Sequence, residues 1–417
     1  MSFEVCVSSV PHLHVPHPTA RPGDNPDFSY VAISPAGAVA RPQPSAATKD
    51  MAFLAVELVR VLDDKHQAVG PWNPQLDAET LRAGLRHMLL TRIYDERMLR
   101  AHRQGRISFY MQSTGEEAVA VAAGMALDSQ DMLFPSYRSQ GLHIVRGMAM
   151  VELMCQLLSN TRDMCKGRQL PVLYHSAEKR LFSISGNLTT QVPQAVGWAM
   201  AASIKGEPHI AATWTGEGST AEADMHYAMV FASVYHAPVI LNIVNNQWAI
   251  STPQGIAAGE SPSFAARGPG FGIPGIRVDG NDFLAVHAVT QWAAERARKG
   301  LGATLIELVT YRASAHSTSD DPSRYRPKTE ASAWPLGDPI ERLKQHLMRL
   351  NEWSEERHAA LQQELDQHVS AAWKEACSYG TLTEGPRPDP ASLFEDVFAE
   401  MPEHLQRQQA QLIKELG

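Results

Sequence analysis

The sequence predicts an α/β protein in which helices flank a doubly wound, mostly parallel sheet. Two observations carry this prediction: a strand–helix–strand unit in the centre of the chain, and a further apolar strand that follows a later helix. Parallel strands need a long crossover, usually helical, so this order of elements favours a parallel sheet. With 417 residues, of which 44% are hydrophobic, the chain can bury a large core.

The central unit is predicted between residues 209 and 246. It consists of an apolar strand over 209–214, a glycine turn over 215–218, a helix over 220–235 and an apolar strand over 238–244 that ends in Asn245-Asn246. The later pair is a helix over 283–299 and a strand over 304–310. These elements place the sheet inside a predicted α/β domain over residues 75–335.

The flanks of this domain have a different composition. Residues 1–50 hold eight of the 27 prolines and little periodicity, so residues 1–74 are predicted to form an extended N-terminal arm. Helical spacing over 81–100 opens the domain, and residues 114–117 (TGEE) have the spacing of a capping box before a small-residue helix. The Asp338-Pro339 pair is typical of a helix start, and residues 336–417 are predicted to be a helical C-terminal region.

Composition excludes several classes of protein. The net charge is −8 and no basic run occurs, which argues against a nucleic-acid partner because phosphate binding needs clustered cations. The longest apolar stretch reaches ten residues, too short to cross a membrane. The four scattered cysteines favour a reducing compartment. Without a leader-like N-terminus, we expect a cytoplasmic protein, or one in the mitochondrial matrix if the source is eukaryotic.

The glycine turn has two interpretations. Residues 216–221 (GEGSTA) match the G-x-G-x-x-G/A pattern of dinucleotide-binding folds, which predicts an oxidoreductase. That fold needs an acidic ribose ligand at the end of the second strand, where this chain has Asn245-Asn246. Glu217 would also repel a diphosphate unless a divalent cation lay between them.

A magnesium site accounts for both features. Glu217 closes one predicted strand and Asn246, 29 residues later, closes the next. Neighbouring strand ends lie about 5 Å apart, so both side chains can reach one cation, and the backbone carbonyl of Trp248 can add a third oxygen. A diphosphate would then lie at the helix N-terminus. An ordinary tight turn followed by an asparagine pair is the alternative.

This arrangement resembles the thiamine diphosphate motif, and further motifs resemble one family of thiamine enzymes. The segments that look like the alpha subunit of 2-oxo acid dehydrogenases are 103–111 (RQGRISFYM), Tyr137-Arg138, 166–171 (KGRQLP), 190–197 (TQVPQAVG) and 312–325 (RASAHSTSDDPSRY). Within that family, the segments 216–218 (GEG) and 316–321 (HSTSDD) look like those of the branched-chain enzyme. The resemblance covers about residues 75–370 and leaves the arm and the extreme C-terminus uncovered.

The resemblance implies a thiamine diphosphate-binding fold and a reaction. The cofactor attacks a branched-chain 2-oxo acid, CO₂ leaves, and the acyl group passes to a lipoyl carrier. Mg²⁺ would be held by Glu217, Asn246 and the carbonyl of Trp248. His316 would be catalytic, and the cofactor would contact Tyr137, Arg138, Leu188, Gly216, Glu217, Gly218, Ser219, Asn246 and His316.

Two further sets of residues follow from the same resemblance. Phe109, Ser136 and Tyr137 would contact the substrate, although Phe109 and Leu188 are equally plausible as core residues. Ser185, Asn187, Thr190 and Gln191 match a monovalent-cation loop that would bind K⁺. A hydroxyl-rich turn that satisfies its own backbone is the alternative for these four.

The chain is predicted to need partners. It contains no second strand–helix–strand set and no glutamate that could activate the aminopyrimidine, and the family places both on a separate beta subunit. The resemblance therefore implies an α2β2 heterotetramer that serves a lipoyl-bearing acyltransferase core. The alternatives are the same chemistry on pyruvate or acetoin, a dinucleotide-binding oxidoreductase, and a scaffold protein.

Overall fold

The structure is a computed structural model that describes residues 13–261 and 263–416. Its centre is a six-stranded, wholly parallel sheet with the strand order β1-β7-β8-β4-β3-β2, and β5 and β6 form a separate antiparallel ribbon. The strands are β1 (Leu58–Val59), β2 (Met132–Phe134), β3 (Ala211–Gly216), β4 (Val239–Asn245), β5 (Trp248–Ala249), β6 (Thr252–Pro253), β7 (Gly275–Asp279) and β8 (Thr304–Val309).

Helices cover both faces of this sheet. They are α1 (Ala78–Arg103), α2 (Glu117–Ala126), α3 (Gln140–Val145), α4 (Met150–Leu158), α5 (Gln191–Ile204), α6 (Ala223–Val234), α7 (Gln254–Ala258), α8 (Arg267–Gly270), α9 (Phe283–Arg298), α10 (Pro339–Arg349), α11 (Glu355–Ser378) and α12 (Glu403–Leu416). The predicted α/β class with a parallel sheet is confirmed.

The central strand–helix–strand unit is confirmed, with shifted ends. The strand β3 continues to Gly216, and a short 3₁₀ turn over Gly218–Ala221 precedes α6. Along β4, Ile240 and Val244 belong to one hydrophobic core, whereas Val239, Leu241 and Ile243 belong to the other. Side chains of a strand alternate between its two faces, so both faces of β4 are buried. A strand that is buried on both faces is mostly apolar along its whole length, which explains the apolar run in the sequence.

The prediction of an extended arm is wrong for the second half of residues 1–74. A 3₁₀ helix covers Thr48–Ala55, and β1 pairs in parallel with β7 at the edge of the main sheet. Leu54 and Trp72 are among the side chains of this segment that lie in the main core. Short turns and a two-residue strand produce no hydrophobic periodicity, so no pattern in this segment predicts them.

The predicted capping box is also wrong. Helix α2 begins at Glu117, three residues after Thr114, and its N-cap residue Glu116 makes no side-chain cap. The Glu117 carboxylate instead accepts a hydrogen bond from the N–H of Gly115 at 2.9 Å and pairs with Arg92 at 2.7 Å. A half-buried arginine therefore competes for the glutamate that the capping pattern assigns to the helix N-terminus.

The C-terminal region is helical, as predicted. Asp338 caps α10 through the N–H groups of Ile340 and Glu341, and α11 packs on α1 and α4. The last helix of this region, α12, covers Glu403–Leu416. Among the described residues, Cys155, Cys165 and Cys377 are free thiols, and no helix has the length and apolar character that a membrane span requires. Cys6 lies outside the described residues.

Candidate active site

Polar side chains converge where four neighbouring strands end at the same edge of the sheet. Arg138 follows β2, Glu217 follows β3, Asn246 follows β4, and Arg312 follows β8. The register pairs Gly216 with Val244, so the turns after β3 and β4 lie side by side. Ligand sites in open parallel sheets lie at this carboxyl edge.

A cavity of about 630 Å³ lies at this edge. That volume suits a cofactor or a small organic ligand. The predicted residues that line the cavity are Phe109, Ser136, Tyr137, Arg138, Ser185, Asn187, Leu188, Gln191, Gly216, Glu217, Gly218, Ser219, Asn246, Trp248 and His316. Thr190 is the one predicted site residue that does not line it. The structure thus brings the set together, and the roles of its members stay predictions.

Hydrogen bonds link the three residues that hold the predicted magnesium ligands into one cluster. Glu217 is 1% exposed, and its Oε2 accepts a hydrogen bond from the N–H of Asn246 at 3.4 Å. Asn246 Oδ1 accepts from the N–H of Trp248 at 3.3 Å, and the Trp248 carbonyl accepts from Arg312 at 2.9 Å. Glu217 Oε1 is buried and has no hydrogen-bond partner among the described residues.

Burial raises the pKa of the Glu217 carboxyl to about 7. The shift arises because a carboxylate loses hydration inside the protein, and here one of its oxygens receives no hydrogen bond in return. A divalent cation would supply the missing partner. The oxygen-only donor set of Glu217, Asn246 and Trp248 also fits the preference of Mg²⁺ for hard ligands.

Glu116 is a site residue that no sequence motif indicates. Glu116 is 5% exposed and lines the cavity. It accepts a hydrogen bond from Asn246 Nδ2 at 2.8 Å and lies 3.6 Å from Arg138 Nε. Burial raises the pKa of Glu116 to about 7, against the opposing effect of Arg138. The TGEE pattern drew attention to helix capping, and only the folded chain shows that Glu116 faces the site.

His316 lies between two guanidinium groups. Its Nδ1 is 3.2 Å from Arg138 Nη2 and 3.3 Å from Arg312 Nη1, and its backbone carbonyl accepts from Arg138 at 2.8 Å. Burial, followed by the two arginines, lowers the pKa of His316 to about 3. A guanidinium can only donate, so Nδ1 acts as the acceptor and the neutral imidazole carries its proton on Nε2.

Arg312 belongs to the motif over residues 312–325, and the sequence assigns it no role of its own. Arg312 is fully buried and donates from Nη2 to the carbonyl of Ile250 and to the Tyr325 hydroxyl, both at 2.8 Å. Asp320 accepts from the N–H of His316 at 2.7 Å and from the Tyr325 hydroxyl at 2.6 Å. These contacts hold the His316 loop beside the cavity.

Apolar groups form the rest of the cavity wall. Phe109 packs against the main core and also lines the cavity, so both interpretations of this residue have a structural basis. Leu188 is 46% exposed and therefore lies at the cavity wall rather than in the core. Ser136 shares a hydrogen bond of 3.0 Å with Ser139, so a polar group interrupts the apolar lining.

The predicted K⁺ turn makes local hydrogen bonds. Ser185 Oγ accepts from the N–H of Asn187 at 3.1 Å, and Thr190 Oγ1 donates to the Asn187 carbonyl at 3.2 Å. Gln191 Nε2 donates to the carbonyl of Trp214 at 2.8 Å, which leaves its Oε1 available as an acceptor. The turn therefore presents oxygen atoms and also satisfies part of its own backbone.

Comparison with known proteins identifies the family. Residues 85–384 match the family model described as dehydrogenase E1 component, and residues 9–49 match the one described as 2-oxoisovalerate dehydrogenase E1 alpha subunit N terminal. The 2-oxoisovalerate dehydrogenase subunit alpha of Pseudomonas aeruginosa is 59% identical over 400 residues, which cover 96% of this chain and 98% of that relative. The mitochondrial subunit of Homo sapiens is 39% identical over 363 residues, covering 87% and 80%.

The chain belongs to the dehydrogenase E1 component family. This membership confirms the resemblance predicted from the motifs, and the N-terminal match extends it into the arm that those motifs left uncovered. The parallel six-stranded sheet agrees with the thiamine diphosphate-binding α/β fold of the family, and the family implies thiamine diphosphate as the cofactor.

Proposed function

We propose that this chain is the alpha subunit of the decarboxylating component of a branched-chain 2-oxo acid dehydrogenase complex. The activity is that of a 3-methyl-2-oxobutanoate dehydrogenase (2-methylpropanoyl-transferring), which acts on the 2-oxo group and passes the acyl group to a lipoyl disulfide. The observation that carries the proposal is the meeting of Glu217 and Asn246 at the ends of adjacent parallel strands, inside the cavity of about 630 Å³ at this edge.

The residues present fit thiamine diphosphate with Mg²⁺. Glu217, Asn246 and the Trp248 carbonyl would hold the cation, and the unpartnered Glu217 Oε1 supports this assignment. Arg138 and Tyr137 would hold the diphosphate, with the Arg138 guanidinium as the cationic partner. When bound, thiamine diphosphate supplies the electron sink for loss of CO₂ from the substrate.

The chain itself would orient the reactants. His316 would be the catalytic residue: in its neutral form, with the proton on Nε2, it can donate a hydrogen bond toward the cavity. The apolar wall with Phe109 and Leu188 suits a branched aliphatic side chain, at roughly 1–3 kcal/mol of discrimination per methylene. Pyruvate and acetoin are the alternative substrates.

A beta subunit and a lipoyl-bearing acyltransferase core complete the proposal. One observation supports a partner: α6 and the residue that follows it expose an apolar face. The exposed side chains of this face are Tyr227, Val230, Phe231, Val234 and Tyr235. Contiguous exposed apolar surface of this kind is typical of protein interfaces. The proposed assembly is α2β2, in the cytoplasm as for a bacterial enzyme.

Calorimetric titration of thiamine diphosphate tests the cofactor assignment. The chain, co-expressed with its beta subunit, should bind the cofactor only when Mg²⁺ is present. Glu217→Ala should abolish this binding, because the substitution removes the one carboxylate of the cluster, whereas the exposed neighbour Glu222→Ala should bind as the wild type does. Binding of NAD instead of thiamine diphosphate would return the glycine turn to the dinucleotide interpretation.

Turnover assays test the substrate and the partner. We expect the co-expressed complex to consume 3-methyl-2-oxobutanoate faster than pyruvate or acetoin, and the isolated chain to be inactive. Full activity of the isolated chain would refute the need for a beta subunit. The proposed K⁺ at Ser185, Asn187, Thr190 and Gln191 predicts tighter cofactor binding in KCl than in NaCl, and equal binding in both salts would refute it.

A further inference from the structure

The orientation of the Asn246 amide decides whether this residue can serve as a cation ligand. Asn246 would offer its side-chain oxygen to a cation, yet an amide can present either its oxygen or its NH₂ group, and the two ends have the same shape. A cation site needs the oxygen end. Some neighbour must therefore fix the rotation of this amide.

Glu116 is in position to do so. Its Oε1 lies 2.8 Å from Asn246 Nδ2, and a carboxylate oxygen can only accept a hydrogen bond from this nitrogen. On the other side of the amide, the N–H of Trp248 lies 3.3 Å from Asn246 Oδ1, and this N–H can only donate. Both neighbours demand the same rotation, with the oxygen turned away from Glu116.

The reverse rotation would lose both hydrogen bonds. It would place the amide oxygen against the Glu116 carboxylate and the NH₂ group against the Trp248 N–H, in a site where Glu116 is 5% and Asn246 8% exposed. Buried polar groups without partners are costly, so this rotation is disfavoured. Arg138, with its Nε 3.6 Å from the same Glu116 oxygen, limits where the carboxylate can move.

We infer that Glu116 is a positioning residue that sets the Asn246 amide with its oxygen directed to the cation. This inference rests on the proposed function, because it assigns a second layer to the proposed magnesium site. Residues that orient a metal ligand typically contribute tenfold to a hundredfold in metal affinity. Glu116 would act through Asn246 and touch neither metal nor substrate.

Two uncharged variants isolate the hydrogen bond from the charge. Glu116→Gln keeps an oxygen that can accept from Asn246 Nδ2, whereas Glu116→Met has a similar length and lacks a good acceptor. The probe is Mn²⁺ at saturating thiamine diphosphate, titrated into the co-expressed complex and followed by electron paramagnetic resonance. We expect the Met variant to bind Mn²⁺ at least about tenfold more weakly than the Gln variant.

Glu117→Gln is the matched control, because Glu117 is the next residue, is fully buried and pairs with Arg92 instead of Asn246. It should lower the melting temperature and leave Mn²⁺ affinity unchanged. Equal Mn²⁺ affinity of Glu116→Gln and Glu116→Met would overturn this inference and leave the proposed function standing. If Glu116→Met does not fold, a loss of more than about tenfold in Glu116→Gln relative to wild type would overturn it, since that variant keeps the acceptor. A wild-type complex that takes up no Mn²⁺ would overturn the proposed function and this inference with it.

Discussion

Asp282 joins three parts of the chain that are far apart in sequence, and its replacement by asparagine gives a sharp test of the fold. The side chain is fully buried. Its Oδ2 accepts from the N–H groups of Val61 and Leu62 at 2.8 and 2.6 Å, and its Oδ1 accepts from those of Leu284 and Ala285, both at 3.1 Å. These bonds tie the N-terminal segment to the start of α9.

Asp282→Asn retains only one oxygen, so one of the two pairs of N–H groups must face an NH₂ group. The loss of two hydrogen bonds to a charged acceptor amounts to about 3–6 kcal/mol. The variant also removes the negative charge that lies 3.5 Å from Arg342 Nη2 of α10. We therefore expect a loss of about 4 kcal/mol in the free energy of unfolding.

Urea unfolding followed by circular dichroism measures this loss, and hydrogen exchange locates it. The pair of N–H groups that faces the new NH₂ group loses its acceptor. The peptide that contains this pair, covering residues 58–62 or 283–286, should therefore exchange its amide hydrogens faster than in the wild type. Asp64→Asn is the control, because its side chain is 93% exposed and pairs with Arg60 at the surface, so we expect a change below about 0.5 kcal/mol. A loss below about 1 kcal/mol for Asp282→Asn, with unchanged exchange in both peptides, would refute this account of how the arm is anchored.

Two further predictions concern the site and a buried histidine. A Cβ at Gly218 would lie 2.3 Å from the Cβ of Ala249, so Gly218→Ala should destabilise the chain by about 1–3 kcal/mol and weaken thiamine diphosphate binding. Gly186→Ala, also on the cavity wall but with open space around it, should change neither quantity by a measurable amount in thermal unfolding and calorimetry. Burial lowers the pKa of His287 from 6.5 to about 4, so the folded state resists protonation that the unfolded state accepts. The wild type should therefore lose about 2–3 kcal/mol relative to His287→Leu as the pH falls from 7.5 to 4.5, and parallel urea-derived stability curves would contradict this.

The part of the fold that could be predicted is the part whose signals are local. The apolar run of β4 and the turn after β3 indicated adjacent parallel strands, and the register of Gly216 with Val244 brings Glu217 and Asn246 together as expected. The division at residues 75 and 336 stays a prediction, although Leu54 and Leu365 lie in the same core as the central helices.

The parts that could not be predicted depend on contacts between distant segments. The two-residue strand β1 is recognisable only through its pairing with β7, more than 200 residues later. Glu116 faces the site because α2 begins at Glu117 and turns the preceding residue toward Asn246. A sequence pattern cannot distinguish a glutamate that caps a helix from one that orients an amide, since both uses need the same residue at a helix start.

The buried charges at the site predict that a bound ligand stabilises this edge of the sheet. Glu116 and Glu217 are buried together with Arg138 and Arg312, and Glu217 Oε1 has no partner among the described residues. Buried charges without full pairing destabilise a fold. A cation at Glu217 would remove that penalty, and a ligand that binds only the folded chain raises its stability by mass action. The features that destabilise the free site are therefore the ones that would be offset by the proposed metal and diphosphate.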